Sequence, residues 1–421
     1  MMSETAKYVK HFKSLISDIG NSRSAVWIVI QQIFTRGLGT LKFFIAASLL
    51  GPKDIGLIGL IFLFIVILES VTTTGLQQAL VQSTEKKSQK ELGAVWTFQL
   101  ARGLLIGLLL LMGSETLSNY FDIQSSRYYI CIAAIIPILR NMINPGVYIA
   151  QRNSQFKKLS FYEIVSAVGD FSVSVIFIIL GFGAESLILG GIVGESLKTI
   201  LSWIYFKINL KINLEWELIY DLRNFGKWIW ASNIFVTFMN QSDKLIVAKL
   251  LGTTDLGVYQ MASRMSQLII GELTGIIGLY IYPKLSERNR ISTLKAQNYL
   301  LKILKLIVPG TALIIFITLI FSKGIIYEVF GEKWINLNHI FQIMLFPTAI
   351  GSVITIYVSY YQAVGMPKII TLATILQFIS LIVLMPVLFK FYQVDGIILS
   401  MALSGLVALG FMIKKNLKIL N

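Results

Sequence analysis

Residues 25–57 read AVWIVIQQIFTRGLGTLKFFIAASLLGPKDIGL, and the reading of this stretch decides the fold. It is apolar over a membrane-spanning length yet carries Arg36 and Lys42, and it ends in the turn Gly51-Pro52-Lys53-Asp54-Ile55-Gly56. Gln32, Thr35, Arg36, Gly39 and Lys42 recur at spacings of three or four, which places them on one side of an α-helix. Ile28, Ile30, Phe34, Leu38, Leu41 and Phe44 make the other side apolar. One face therefore suits lipid, and the other must meet something polar. An Arg or Lys at the bilayer centre costs roughly 2.5–3.5 kcal/mol on insertion scales. Cations kept at that depth point to a hydrated cavity, a partner charge, or both.

The same signature returns about two hundred residues later. Ala47 to Gly56, ASLLGPKDIG, aligns without a gap on Ala248 to Gly257, AKLLGTTDLG. That register sets Lys42 against Asp243, and the following helices end alike in Gly75-Leu76 and Gly278-Leu279. The chain reads as an internal duplication, the usual build of secondary transporters.

Composition agrees. Of 421 residues, 55% are hydrophobic and 14% charged, with mean hydropathy +0.72; soluble proteins carry about 25% charged residues. The expectation is an all-α polytopic membrane protein of about twelve transmembrane helices in two six-helix lobes. The approximate spans are 25–50, 56–82, 92–113, 128–151, 159–181, 185–206, 226–251, 257–283, 298–322, 337–364, 367–389 and 394–413. The predicted domains are an N-lobe, 1–206, with an amphipathic segment at 1–23, an interfacial linker at 207–225, and a C-lobe at 226–421. Lys and Arg divide roughly 22 to 5 between alternate loops, which places both termini in the cytoplasm. The net charge of +15 is assigned to those loops, and no nucleic-acid motif accompanies it. The one cysteine, Cys131, lies in an apolar run and supplies no disulfide framework. No cleavable signal is expected from residues 1–23.

Candidate functional residues are the charges inside the spans. The cations are Arg36 and Lys42 on span 1, Arg102 on span 3 and Arg140 on span 4; a group of this kind suits an anionic ligand, since Arg presents a planar fork to phosphate oxygens. Glu69, Asp170, Glu195, Asp243, Arg264 and Glu272 are expected as counter-charges or as carriers of a coupling ion. Glu195 and Lys198, three apart on one helix, can pair with each other. Polar stripes on successive spans point to a shared cavity lined mainly by spans 1–8. Gly190-x-x-x-Gly194 and Gly271-x-x-x-Gly275 are expected to permit close helix packing. Tyr357, Tyr360 and Tyr361 are expected in a membrane-interface belt. His339 is expected at an interface. Neither metal nor organic cofactor is expected; a proton, sodium or the membrane potential could drive transport.

Several segments resemble a known family. LLGPKDIGLIGL at Leu49–Leu60, TTGLQQALVQ at Thr73–Gln82, AVWTFQLARGLLIGLLL at Ala94–Leu110, NFGKWIWASN at Asn224–Asn233, DKLIVAKLLGTTDLGVYQMA at Asp243–Ala262, YPKLSE at Tyr282–Glu287 and VFGEKWINLNHIFQIM at Val329–Met344 are similar to the Wzx-type O-antigen and polysaccharide flippases. Their superfamily also holds multidrug-and-toxin extruders and lipid II flippases, and the two extra carboxy-terminal helices of the latter are not expected here. The resemblance implies two lobes around an alternately opening cavity. It implies a bacterial inner-membrane protein acting on a polyprenyl-pyrophosphate-linked oligosaccharide, with membrane lipids, a polysaccharide polymerase and a chain-length regulator as partners. On this reading Arg36→Ala or Arg140→Ala abolishes surface glycan while the protein stays in the membrane. The alternatives are a cation-coupled multidrug extruder, which calls for an acidic cavity, and a membrane glycan polymerase or ligase, which calls for a large exterior loop with catalytic residues.

Overall fold

The computed structural model describes residues 23–82, 88–206, 208, 210–214 and 220–418, and no strand occurs among them. The amphipathic segment expected at the amino terminus and part of the 207–225 linker lie outside the described residues. The helices are α1 (Arg23–Leu49), α2 (Pro52–Thr72), α3 (Leu76–Gln82), α4 (Gln89–Tyr120), α5 (Arg127–Ala133), α6 (Ile135–Asn141), α7 (Gly146–Arg152), α8 (Phe156–Ile179), α9 (Glu185–Tyr205), α10 (Tyr220–Ser266), α11 (Glu272–Ile291), α12 (Thr293–Phe330), α13 (Leu337–Ala363) and α14 (Pro367–Lys418). A π-helical turn, Gln267–Gly271, joins α10 to α11.

Eight described helical stretches are long and apolar enough to cross a bilayer, or nine if Gln124–Asn141 and Gly146–Arg152, bent by 54°, form one span. About 20 residues suffice for one crossing. Asn233–Ile291 and Pro367–Leu417 run to 59 and 51 residues, and each contains a backbone break, at Gly252 (φ 86°) and at Gln393 (φ 49°). The protein is thus a helical, multi-pass membrane protein. Apolar side chains cover its outer faces, as lipid contact demands: Leu105, Leu108 and Met112 on α4 and Leu306, Leu313 and Phe316 on α12 are exposed.

Two expected spans are broken where the site is built. The stretch 56–82 divides at Thr73–Gly75 into α2 and α3. The stretch 128–151 divides into α5, α6 and α7. Pro137 has no N–H for the Ala133 carbonyl, and the helix interrupts at Ala134 beside it. Buried side chains satisfy the second interruption: the Asn144 N–H donates to Ser202 Oγ (2.9 Å), the Gly146 N–H to Asn144 Oδ1 (2.8 Å), and Thr199 Oγ1 to the Leu139 carbonyl (2.7 Å). Irregular backbone at membrane depth requires such partners.

The chain divides into two compact units, one of residues 1–50 and 57–245, the other of residues 51–56 and 246–421. The first unit extends into α10, where Trp230 Nε1 donates to the Val71 carbonyl at 2.6 Å. In it α8 packs against both α1 and α9, and α6 against α4 and α9. Gly190 and Gly194 make the α8–α9 approach possible: a Cβ on Gly190 would lie 1.9 Å from Ser174 Oγ and one on Gly194 2.8 Å from Asp170 Cβ. Gly271 and Gly275 do not act in this way; an added Cβ meets only the side chain of Gln267 at the first and nothing within 4 Å at the second.

The second unit brings the two copies of the repeated turn together. A Cβ on Gly56 would lie 1.7 Å from the Thr253 carbonyl oxygen, and one on Gly257 1.9 Å from the Pro52 carbonyl oxygen. Pro52 aligns with Thr253 and Gly56 with Gly257, so the contact is reciprocal. The core of this unit includes Leu285, Leu300, Tyr357, Tyr360 and Tyr361. The three tyrosines therefore do not form an interface belt. Tyr360 and Tyr361 are fully buried, and Tyr361 donates to the Met412 carbonyl at 2.6 Å, which meets its hydroxyl inside the unit. His339 is exposed and sits 2.9 Å from Asp395 Oδ2, tying the start of α13 to the segment beyond the α14 break.

Candidate functional site

The first unit contains a polar cavity of about 490 Å³. Its wall is assembled from the α2–α3 break (Glu69, Thr73, Gln77, Gln78), α4 (Gln99, Arg102), the broken α6–α7 region (Arg140, Asn141, Tyr148, Gln151), α8 and α9 (Tyr162, Glu163, Lys198), and α10 (Asn233, Thr237). The interrupted helices supply it because backbone that leaves the helical ladder exposes polar groups, and these need a wet surface or a partner.

Arg102 is the hub. Its Nε donates to Thr72 Oγ1 (3.1 Å), Nη1 to Asn141 Oδ1 (3.4 Å), and Nη2 to the Glu69 carbonyl (2.8 Å) and Thr73 Oγ1 (3.3 Å). Its position at the carboxy-terminal end of α2 is favourable to a cation. These bonds use four of the five guanidinium donors and all go to neutral oxygens. Three residues earlier on α4, Gln99 is 3% exposed and sits beside Tyr148. Two neighbouring groups on one helix thus place N–H donors in the cavity wall, and one Nη1 hydrogen of Arg102 is unspent.

The other cations are engaged by carboxylates. Arg140 grips Glu69 through Nη1 (2.8 and 2.9 Å) and Glu195 Oε1 through Nε and Nη2 (2.9 and 2.7 Å). Lys198 pairs with Glu163 on α8 at 2.9 Å, not with Glu195 on its own helix. Lys42 lies 2.6 Å from Asp170 Oδ2, between α1 and α8.

The structure therefore brings together only part of the set expected from sequence. Arg102, Arg140 and Glu69 line the cavity, with Glu195 behind Arg140. Arg36 is exposed on α1 and Lys42 is held against α8; neither lines it. Asp170 belongs to the Lys42 pair. Asp243, buried in α10, and Arg264 and Glu272 are outside this wall as well. The first span does not line it, because its polar face is spent on α8: Ser160 Oγ donates to the Trp27 carbonyl (2.9 Å), and Lys42 meets Asp170. Polar residues of span 8 line a separate cavity in the second unit. The sequence reading missed Gln78, Gln99, Asn141 and Glu163. Gln99 and Arg102, three apart in an otherwise apolar helix, were the available signal.

If the Lys42–Asp170 pair is structural, Lys42→Met should destabilise by about 2–3 kcal/mol, because it strands a partly buried carboxylate. Lys42→Met with Asp170→Leu should recover most of that loss. Thermal unfolding of the two variants checks both statements.

Comparison with known proteins adds the following. A family described as "Polysaccharide biosynthesis protein" matches residues 45–339. The chain is 20% identical to the lipopolysaccharide biosynthesis protein WzxC of Escherichia coli, over 76% of this chain and 65% of that one. It is 22% identical to the probable low-salt glycan biosynthesis flippase Agl15 of Haloferax volcanii, over 91% of this chain and 80% of that one. Among solved structures, the lipid II flippase MurJ in an inward closed conformation superimposes with a TM-score of 0.70 at 15% identity, covering 93% of this chain and 87% of that one.

Proposed function

Because the chain belongs to the polysaccharide biosynthesis protein family, we propose that it is a flippase that carries a lipid-linked oligosaccharide across the membrane. Its work is transport, not catalysis, and its relatives are named for glycan biosynthesis and flipping. The observation that carries the reading is Arg102 on α4, with one Nη1 hydrogen unspent, beside Gln99 in the wall of a roomy polar cavity. A pyrophosphate between glycan and prenyl chain is the part of such a substrate that hydrocarbon excludes most strongly. Its oxygens accept hydrogen bonds only, and a guanidinium with a donor to spare answers that need. Arg140 adds a second contact by exchanging Glu69 or Glu195 for a phosphate oxygen. Such an exchange ties ligand binding to the position of the broken α6–α7 segment, as alternating access requires.

The test is reconstitution in liposomes with a fluorescent polyprenyl-pyrophosphate-linked disaccharide. Wild-type protein should move it to the opposite leaflet, and Gln99→Leu with Arg102→Lys should reduce the rate at least tenfold at equal protein content. Lack of translocation by the wild type, together with drug resistance in cells that express it, would favour a multidrug extruder.

A further inference from the structure

The second unit contains its own cavity, of about 230 Å³, and its chemistry differs from that of the first. Two irregular points of helix backbone flank it. One is the π turn Gln267–Gly271; the other is Pro347 within α13. A π turn breaks the i→i−4 ladder and a proline removes an N–H, so both leave carbonyl oxygens without their usual partners. In a bilayer, such backbone persists where it lines a cavity or is covered by protein.

Three of the hydroxyls around the cavity are already committed as donors. Thr348 Oγ1 donates to the Met344 carbonyl (2.8 Å), Ser352 Oγ to the Thr348 carbonyl (3.1 Å) and Thr355 Oγ1 to the Gly351 carbonyl (2.9 Å). Thr274 Oγ1 lies 2.8 Å from the Ile270 carbonyl and 3.0 Å from Ser352 Oγ. A hydroxyl that has spent its hydrogen on a helix carbonyl offers only lone pairs to an occupant. Gln267 differs: it lines the cavity, and among the described residues its carboxamide has no hydrogen-bond partner. That amide is folded back over residue 271, where a Cβ would stand 2.0 Å from Gln267 Oε1, so glycine there is what lets it take this position. Met344, Pro347 and Met401 supply an apolar patch, and no charged residue lines the cavity.

Size and charge select the occupant. Water occupies about 30 Å³ in the liquid, so the space is on the order of eight waters, far too large for a bare ion. With no charged residue in the lining, nothing compensates an ion there. An uncharged ring with a rim of hydroxyls and one C–H face matches a rim of acceptors, one two-sided carboxamide and one apolar patch. We propose that this cavity is a binding subsite for a single neutral sugar ring. The proposal rests on the reading of the protein as a carrier of lipid-linked glycan, and it assigns recognition of the glycan to residues that the phosphate site does not contain.

The experiment is saturation-transfer NMR on the full chain in nanodiscs, free of glycoside detergent. The probes are the methyl β-glycosides of glucose, galactose and N-acetylglucosamine. At least one should receive saturation from the wild type. Gln267→Leu removes the amide and should weaken that binding about tenfold. Gly271→Ala should do the same, because its new Cβ meets the tip of a flexible side chain, so the amide moves and the helices need not. Arg102→Ala should leave the signal unchanged. Absence of transfer to all three glycosides overturns the proposal. So does a signal that Gln267→Leu leaves intact, or one that Arg102→Ala abolishes, which would place the sugar in the first cavity. The readout needs no transport, so failure of flipping in liposomes and failure of sugar binding are separate results.

Discussion

Replacement of Arg140 by alanine should cost the protein stability as well as transport. Its guanidinium holds Glu69 and Glu195 together, and those side chains are only 18% and 16% exposed. Without it, two carboxylates face each other with nothing between them. Breaking a fully buried pair costs about 3–5 kcal/mol. Arg140 itself is 40% exposed, so screening lowers the expected loss to about 2–3 kcal/mol. A loss of that size reduces the steady-state amount in a membrane several-fold. The sequence alone suggested that Arg140→Ala would leave the protein in place; the double ion pair changes that expectation. Arg140→Gln combined with Glu69→Gln and Glu195→Gln should restore most of the stability and still fail to transport. Thermal unfolding and membrane abundance of the single and triple variants decide the matter, and an Arg140→Ala protein as stable as wild type would contradict the triad.

The second large effect concerns the repeated turn. Gly56→Ala and Gly257→Ala each place a methyl group within 2 Å of a carbonyl oxygen of the opposite copy. No side chain can swing aside, because the obstacle is backbone. Overpacking of this kind costs typically about 1–3 kcal/mol and occasionally more, and these sites belong at the upper end. The contact is reciprocal, so the two variants should lose similar amounts. The double variant should lose less than the sum, since the first methyl has already parted the turns. Gly37→Ala, which meets nothing within 4 Å, is the control and should leave stability nearly unchanged. Equal unfolding temperatures for wild type and Gly56→Ala would remove the crossing from the account.

Much of this architecture was legible in the chain, for identifiable reasons. Apolar stretches of membrane length declare themselves because lipid tolerates nothing else. The LLG-x-x-D-[IL]-G repeat was visible because close backbone approach demands glycine at the same place in both copies. The site was less legible. Periodicity put Lys42 and Arg140 on polar faces, but a polar face looks the same whether it meets water or a carboxylate on a neighbouring helix. Asp170 lies 128 positions from Lys42 and Glu69 lies 71 from Arg140, distances over which spacing rules are silent. The breaks at Thr73–Gly75 and around Pro145, which build the cavity, read in sequence as ordinary turn or kink residues. The tyrosines at 357, 360 and 361 misled for the converse reason: an aromatic cluster near a helix end fits an interface and a core equally until its neighbours are known.

The central claim is that the first cavity holds a pyrophosphate through donors on α4. The most direct test is the affinity of purified protein in nanodiscs for undecaprenyl pyrophosphate, measured for wild type, Arg102→Lys and Arg102→Ala. The account predicts that binding weakens about 10–100-fold in Arg102→Ala, with Arg102→Lys intermediate because it keeps the charge and loses the fork. Equal affinity in all three proteins, each shown to be folded, would contradict it.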